Sequence, residues 1–183
     1  MRRQFILALA FATLSAPAMA QMSVSVVGAT DAQLCFEAAG DNFATSTANC
    51  DDALRRGGLS KHDEVATRVN RGIVLNRAER FKEALADFDY ALAMSPDTAE
   101  AYLNRGNCYF MQRRFDDAIA DYEKSIKLGI TKADVAWYNV GLAHEAKKDT
   151  AKAKEAYRTA LEINPDFGPA LKKLSDEPSP DRD

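Results

Sequence analysis

Apolar positions recur with a helical period through most of the chain, most clearly over 99–128. From Ala99 to Met111 there is no proline and one glycine, and Tyr102, Gly106 and Tyr109 draw one stripe down a helix. Gln112, Arg113 and Arg114 break the pattern. Phe115, Ala118, Ile119, Tyr122 and Ile126 draw a second stripe, which Gly129 ends as a helix-stopping glycine. Two helices this short cannot bury both stripes against each other. The pattern predicts a helical hairpin that needs neighbours.

The neighbours are copies of the same stretch. Asn70-Arg71-Gly72 recurs as Asn104-Arg105-Gly106 34 residues later, and as Asn139-Val140-Gly141 after a further 35. Downstream of each glycine, Ala84, Phe88, Ala91 and Pro96 answer to Ala118, Tyr122, Ser125 and Ile130, then to Ala153, Tyr157, Ala160 and Pro165. Small residues stand where helices touch closely, and aromatics fill the space between them. This 34-residue period, with Gly, Ala, aromatic, Ala and Pro at these offsets, resembles the tetratricopeptide repeat over residues 65–167. The resemblance implies an all-α fold, a right-handed superhelical solenoid of antiparallel helix pairs. Departures are mild: Arg68, Tyr102 and Trp137 stand at the usual tryptophan position, and Arg71, Arg105 and Val140 at the usual leucine.

The segments flanking the repeats have their own signatures. Residues 1–20 read as a cleavable signal peptide, with Arg2 and Arg3, an apolar run from Phe5 to Ser15, and Ala18-Met19-Ala20 as the cleavage site. The expected destination is a bacterial periplasm, by the general or the twin-arginine route. The run is too short for a stable membrane anchor. Residues 21–30 form a leader, either a short strand or a flexible terminus. Residues 31–63 read as a degenerate leading helix pair, with helices to Ala39 and over 47–56, a stop at Gly57-Gly58, and a loop from Leu59 to Asp63 that holds His62. Full repeats follow at 64–98, 99–133 and 134–167. A capping helix is expected at 168–175, burying Ala170, Leu171 and Leu174, then a disordered tail at 176–183.

Two pairings are suggested by position. Cys35 and Cys50 fall on the facing helices of the leading pair, and Cys50 aligns with Phe88. In an exported chain they invite a disulfide, worth about 3 kcal/mol for a loop of about 15 residues; the alternative is two buried thiols. Cys108, two residues past a repeat glycine, reads as an inert packed thiol. Arg71 and Arg105 are each followed 16 residues later by Asp87 and Asp121, whereas Val140 is followed by Ala156. Charges that appear and vanish together suggest ion pairs between the two helices of a repeat; the alternative is independently solvated charges.

Composition narrows the function. The net charge of −3, which becomes −5 without Arg2 and Arg3, and the scattered basic doublets offer no concentrated basic face for nucleic acid. His62 and His144 have no metal-ligand spacing, and no phosphate loop or nucleophile motif is present, so no cofactor, metal or catalysis is expected. His144 stands at the register of Tyr109 and reads as packing. What remains is a second face of the first helices: Val69 and Ile73, Leu103, Asn107 and Phe110, Tyr138 and Leu142. The resemblance implies that these line a concave groove for a protein or peptide partner, with Asn107 as a polar handle. The alternative is that the leader or a second subunit covers the stripe. Val69, Leu103, Val135 and Tyr138 stand where carboxylate-clamping grooves need cations, so a chaperone-tail ligand is not expected.

Overall fold

The computed structural model describes residues 30–175. The expected signal peptide, the leader up to residue 29 and the C-terminal tail lie outside the described residues. Within them the chain forms nine α-helices and no strand. These are α1 (Thr30–Gly40), α2 (Ala48–Arg56), α3 (Lys61–Arg77), α4 (Phe81–Met94), α5 (Ala99–Met111), α6 (Phe115–Lys127), α7 (Ala133–Ala146), α8 (Thr150–Ile163) and α9 (Gly168–Ser175). Consecutive helices pack as hairpins, and α1, α3, α5 and α7 also touch in sequence, giving one layer of first helices backed by second helices. No helix among the described residues is long and apolar enough to cross a membrane.

Each full repeat is closed by one contact. A Cβ placed on Gly72 would sit 2.6 Å from the Phe88 ring, one on Gly106 2.6 Å from Tyr122, and one on Gly141 2.3 Å from Tyr157. No real Cβ fits there. Glycine costs about 0.5–1 kcal/mol against alanine inside a helix, so the packing it permits must outweigh that penalty. The rings are almost fully enclosed, with Phe88 and Tyr122 at 0% exposure. In the leading pair, Cys35 and Cys50 are joined as a disulfide with their Cα atoms 4.7 Å apart, and Cys50 stands at the aromatic's register. The bond takes the place of the ring. The Cys35 sulfur also lies 3.7 Å from the Thr67 carbonyl oxygen, and Arg77 donates to the carbonyls of Ala38, Ala39 and Ala44, tying α1 and the turn after it to α3.

The turns inside the three full repeats share a geometry that the residue types conceal. Glu79, Arg113 and Lys148 adopt left-handed backbone, at φ 59°, 61° and 64°. In each, this residue and the next donate back into the helix: Glu79 N to Asn76 O and Arg80 N to Leu75 O, and likewise Arg113 and Arg114, Lys148 and Asp149. This is the Schellman ending, which favours glycine. Gly129 makes the same ending after α6 at φ 80°.

Two expectations are corrected. The loop predicted over 59–63 is shorter, because α3 begins at Lys61: the Ser60 hydroxyl accepts from the Asp63 amide and caps the helix, so His62 lies in its first turn. In α9, Ala170 is buried but Leu171 is 46% exposed. Leu174, one turn beyond Ala170, shares its face and is half-buried, whereas Leu171 is rotated away by about 100°.

Glycine substitutions at the two kinds of site should act in opposite directions. Gly106→Ala should lower the urea midpoint by about 1–2 kcal/mol in stability, since overpacking against Tyr122 exceeds the gain in helix propensity. Glu79→Gly should raise stability by about 0.5–1 kcal/mol by relieving the left-handed strain. A more stable Gly106→Ala chain would remove the close-contact account.

Candidate functional site

The helices of each early repeat are joined by a three-point arginine bridge. Arg71 donates from Nε and Nη2 to the two oxygens of Asp87, both at 2.7 Å, and from Nη1 to Asp51 of α2 at 2.7 Å. Arg105 repeats the arrangement one unit on, at 2.7 and 2.9 Å to Asp121 and 2.7 Å to Asp89 of α4. The hydrogen bonds to Asp87 and Asp121, assisted by charge, hold both guanidinium groups firmly protonated. Each arginine thus links its own second helix to that of the repeat before. From the sequence, Asp51 reads as an acid favoured at a helix start and Asp89 carries no reading; neither is expected as a partner of these arginines. The signal is that both follow the aromatic-register residue, Cys50 and Phe88.

A second polar element is sealed in the core. The Tyr122 hydroxyl donates to Asn107 Oδ1 at 3.0 Å, and Asn139 Nδ2 donates to the same oxygen at 3.1 Å. Asn107 is 1% exposed. It joins α5, α6 and α7 and is not a handle for a partner, which corrects that expectation.

The exposed apolar stripe is corrected with it. Val69, Ile73 and Leu103 are 0% exposed and Leu142 is 4% exposed. Val69 and Ile73 share a cluster with residues of α4 and α5, Leu103 with residues of α6 and α7, and Leu142 with residues of α8 and α9, so these positions form the interior. Phe110 and Tyr138 keep part of their surface open. Phe110 stacks edge-on to Phe115 at 5.4 Å, and Tyr138 lies 5.5 Å from both Tyr157 and Phe167. Met111, beside Phe110, is 40% exposed. Glu145 borders this region; it accepts from the Tyr157 hydroxyl and is paired with Lys173 of α9 at 2.8 Å. On α5 and α7 the open part of this stripe is Phe110, Met111 and Tyr138 with a charged border; on α1, Leu34 is 39% exposed.

Other reactive groups are tied into the packing. Burial pushes the Cys108 thiol up to about 11, so it stays protonated at neutral pH. His144 is lowered from its ordinary value, mainly by burial, with Asp149 3.9 Å from its Nδ1. Among the described residues, no group of three or more His, Cys, Asp or Glu side chains could hold a metal ion.

This architecture, helix pairs closed by glycine and an aromatic and stacked in register, is that of a helical-repeat interaction module. Two tetratricopeptide repeat family models match the chain, over residues 69–133 and 135–167, and the chain belongs to that family. It is 33% identical over 93 residues to the human protein O-mannosyl-transferase TMTC3, a match that spans 50% of this chain and 10% of that protein. Among solved structures it is similar to MamA, with a TM-score of 0.66 at 22% identity, covering 81% of this chain and 82% of that one. It is also similar to YrrB, described as a TPR protein with an unusual peptide-binding site, with a TM-score of 0.61 at 25% identity, covering 70% of this chain and 64% of that one.

The arginine bridge can be tested against the chain's own third repeat. Asp121→Ala should cost about 2 kcal/mol in urea unfolding, below the usual cost of breaking a fully buried pair because Arg105 keeps Asp89. Arg105→Val with Asp121→Ala copies Val140 and Ala156 and should recover about half of that loss, because no buried charge is left stranded and Asp89, 58% exposed, is solvated. A double variant no more stable than Asp121→Ala would show that the pair is not the coupled unit.

Proposed function

We propose that the chain is a non-catalytic adaptor of the cell envelope that binds a peptide or protein segment along its layer of first helices. The observation that carries this reading is Met111, 40% exposed next to the half-buried Phe110 on a repeat scaffold, with Tyr138 half-buried on the following first helix. A rigid layer with a few open aromatic and thioether side chains suits a partner segment, because ordering costs fall mainly on the partner. The family's role as an interaction module supports the reading, as does the peptide-binding site named for YrrB. The envelope location rests on Arg2, Arg3, the apolar run and Ala18-Met19-Ala20, and the disulfide between Cys35 and Cys50 accords with an oxidising compartment.

Capture from an envelope extract on immobilised chain tests the surface. Met111→Glu should reduce the captured partner at least tenfold, and Arg158→Glu, on the exposed side of α8, should leave it unchanged. Equal capture by both variants would move the binding surface off Met111. A stable dimer in sedimentation that Met111→Glu dissociates would assign the same face to self-association. Retention in the cytoplasm with residues 1–20 intact would overturn the location.

A further inference from the structure

A pocket of about 410 Å³ opens between α2, α3 and α4, on the 68–71–75 stripe of α3 and not on the stripe that carries Val69 and Ile73. Leu75, 3% exposed, forms its floor. Arg68 and Arg71 stand along α3, Ala86 and Tyr90 along α4, and Arg80 rises from the turn between them. Its size falls within the range of about 300–1,000 Å³ usual for ligand pockets.

Repeat register explains why this space is open. Leu75 corresponds to Tyr109, Arg71 to Arg105, Arg80 to Arg114, Glu83 to Asp117 and Asp87 to Asp121. In the second repeat the Tyr109 ring is half-buried, with the Arg114 guanidinium 4.2 Å and the Arg105 guanidinium 5.8 Å from its centroid. Leucine has no such ring, so the equivalent arginines of the first repeat border open space. The chain itself shows what this arrangement of side chains accommodates.

We propose that the pocket takes an aromatic side chain of a partner polypeptide, its ring laid on Leu75 and against the Arg80 guanidinium. This rests on reading the chain as an interaction module, but not on the face that carries Met111. The walls favour a ring over an acid. Arg68, Arg71 and Arg80 are balanced by Asp51, Glu83 and Asp87 within the same lining, so a carboxylate would meet no net positive charge. A ring is attracted to a guanidinium through its quadrupole even where that charge is already paired. Arg71 is pinned between Asp51 and Asp87, and Arg68 lies 3.9 Å over the Tyr90 ring, whose hydroxyl donates to Glu64 at 2.8 Å. These walls are fixed before any ligand arrives. Arg80 is 46% exposed and bonded to Glu83, itself 58% exposed, a surface pair that constrains it weakly and leaves it able to turn onto a ring.

The probe is p-cresol, the side-chain analogue of tyrosine, titrated into the ¹⁵N-labelled full chain, with isobutanol as the aliphatic match to leucine. Saturable amide shifts centred on Leu75, Arg80 and Ala86 are expected with p-cresol, and at least fivefold weaker binding with isobutanol. Leu75→Tyr supplies the ring from within the chain and should weaken p-cresol at least tenfold. Arg80→Gln, at an exposed rim where folding is not at stake, should weaken it about threefold, the size of an exposed cation–π contact. Equal response to the two probes, shifts centred elsewhere, or unchanged binding by Leu75→Tyr would overturn the proposal. Met111→Glu should leave this titration unaltered, so failure here and failure of the Met111 surface are read separately.

Discussion

The architecture depends on how closely the two helices of a repeat approach. At Gly72, Gly106 and Gly141 the space of a missing Cβ is filled by the ring of Phe88, Tyr122 and Tyr157. A ring driven that far into the opposite helix sets the separation and rotation of the pair together. It also brings residue 71 into line with residue 87, and residue 105 with residue 121, because each pair lies one position before the contact on both helices. The arginine bridges are thus a consequence of the glycine contact and could not form at a wider spacing. In the leading pair the same constraint is met by a covalent bond, which needs no large side chain between the helices.

With that spacing set, the repeats differ in how they join one another. Arg71 and Arg105 reach forward to their own second helix and back to Asp51 and Asp89, so the first three pairs are linked through charge. The third repeat has Val140 and Ala156, both buried, and lacks the arginine bridge; it is joined through Asn139 to Asn107, through Trp137 in the apolar cluster around Leu103 and Val140, and at the surface through Lys147 paired with Asp116. Replacing a partly buried ion pair by matched apolar residues is often neutral, which accounts for one scaffold tolerating both solutions. Breaking only one member of the pair is what such a scaffold cannot absorb.

Much of this was legible before any coordinates. The spacing of Gly, Ala and aromatic residues gives the helix pairs, and the joint loss of Arg and Asp in the third copy points to the pairing of Arg71 with Asp87 and Arg105 with Asp121. The surface was less legible. Leu103, Asn107 and Ile73 form a second stripe in sequence, but a stripe does not say whether solvent or neighbouring helices cover it. Here the neighbouring helices do, leaving Phe110, Met111 and Tyr138 on α5 and α7. The turns at Glu79, Arg113 and Lys148 were hidden for another reason: the left-handed residue there is not glycine, and tertiary packing overrides the local preference. The bond from Arg71 to Asp51 was not legible because its register runs through Cys50, where the aromatic that marks the position is absent.

The positions shared by all copies build the array, and so they are the ones least available to a partner. Glycine, the facing aromatic and the asparagine two residues before the glycine are buried in every full repeat. Chemistry open to solvent arises where one copy departs from the others. Met111 stands where the first repeat has Arg77, which is occupied in holding α1. Leu75 stands where the second repeat has Tyr109, and the exchange turns a filled interface into a pocket. Specificity in such a chain therefore resides in differences between repeats. The same register that identifies the fold locates the two surfaces, on separate stripes of the first helices, where the fold leaves side chains free to bind.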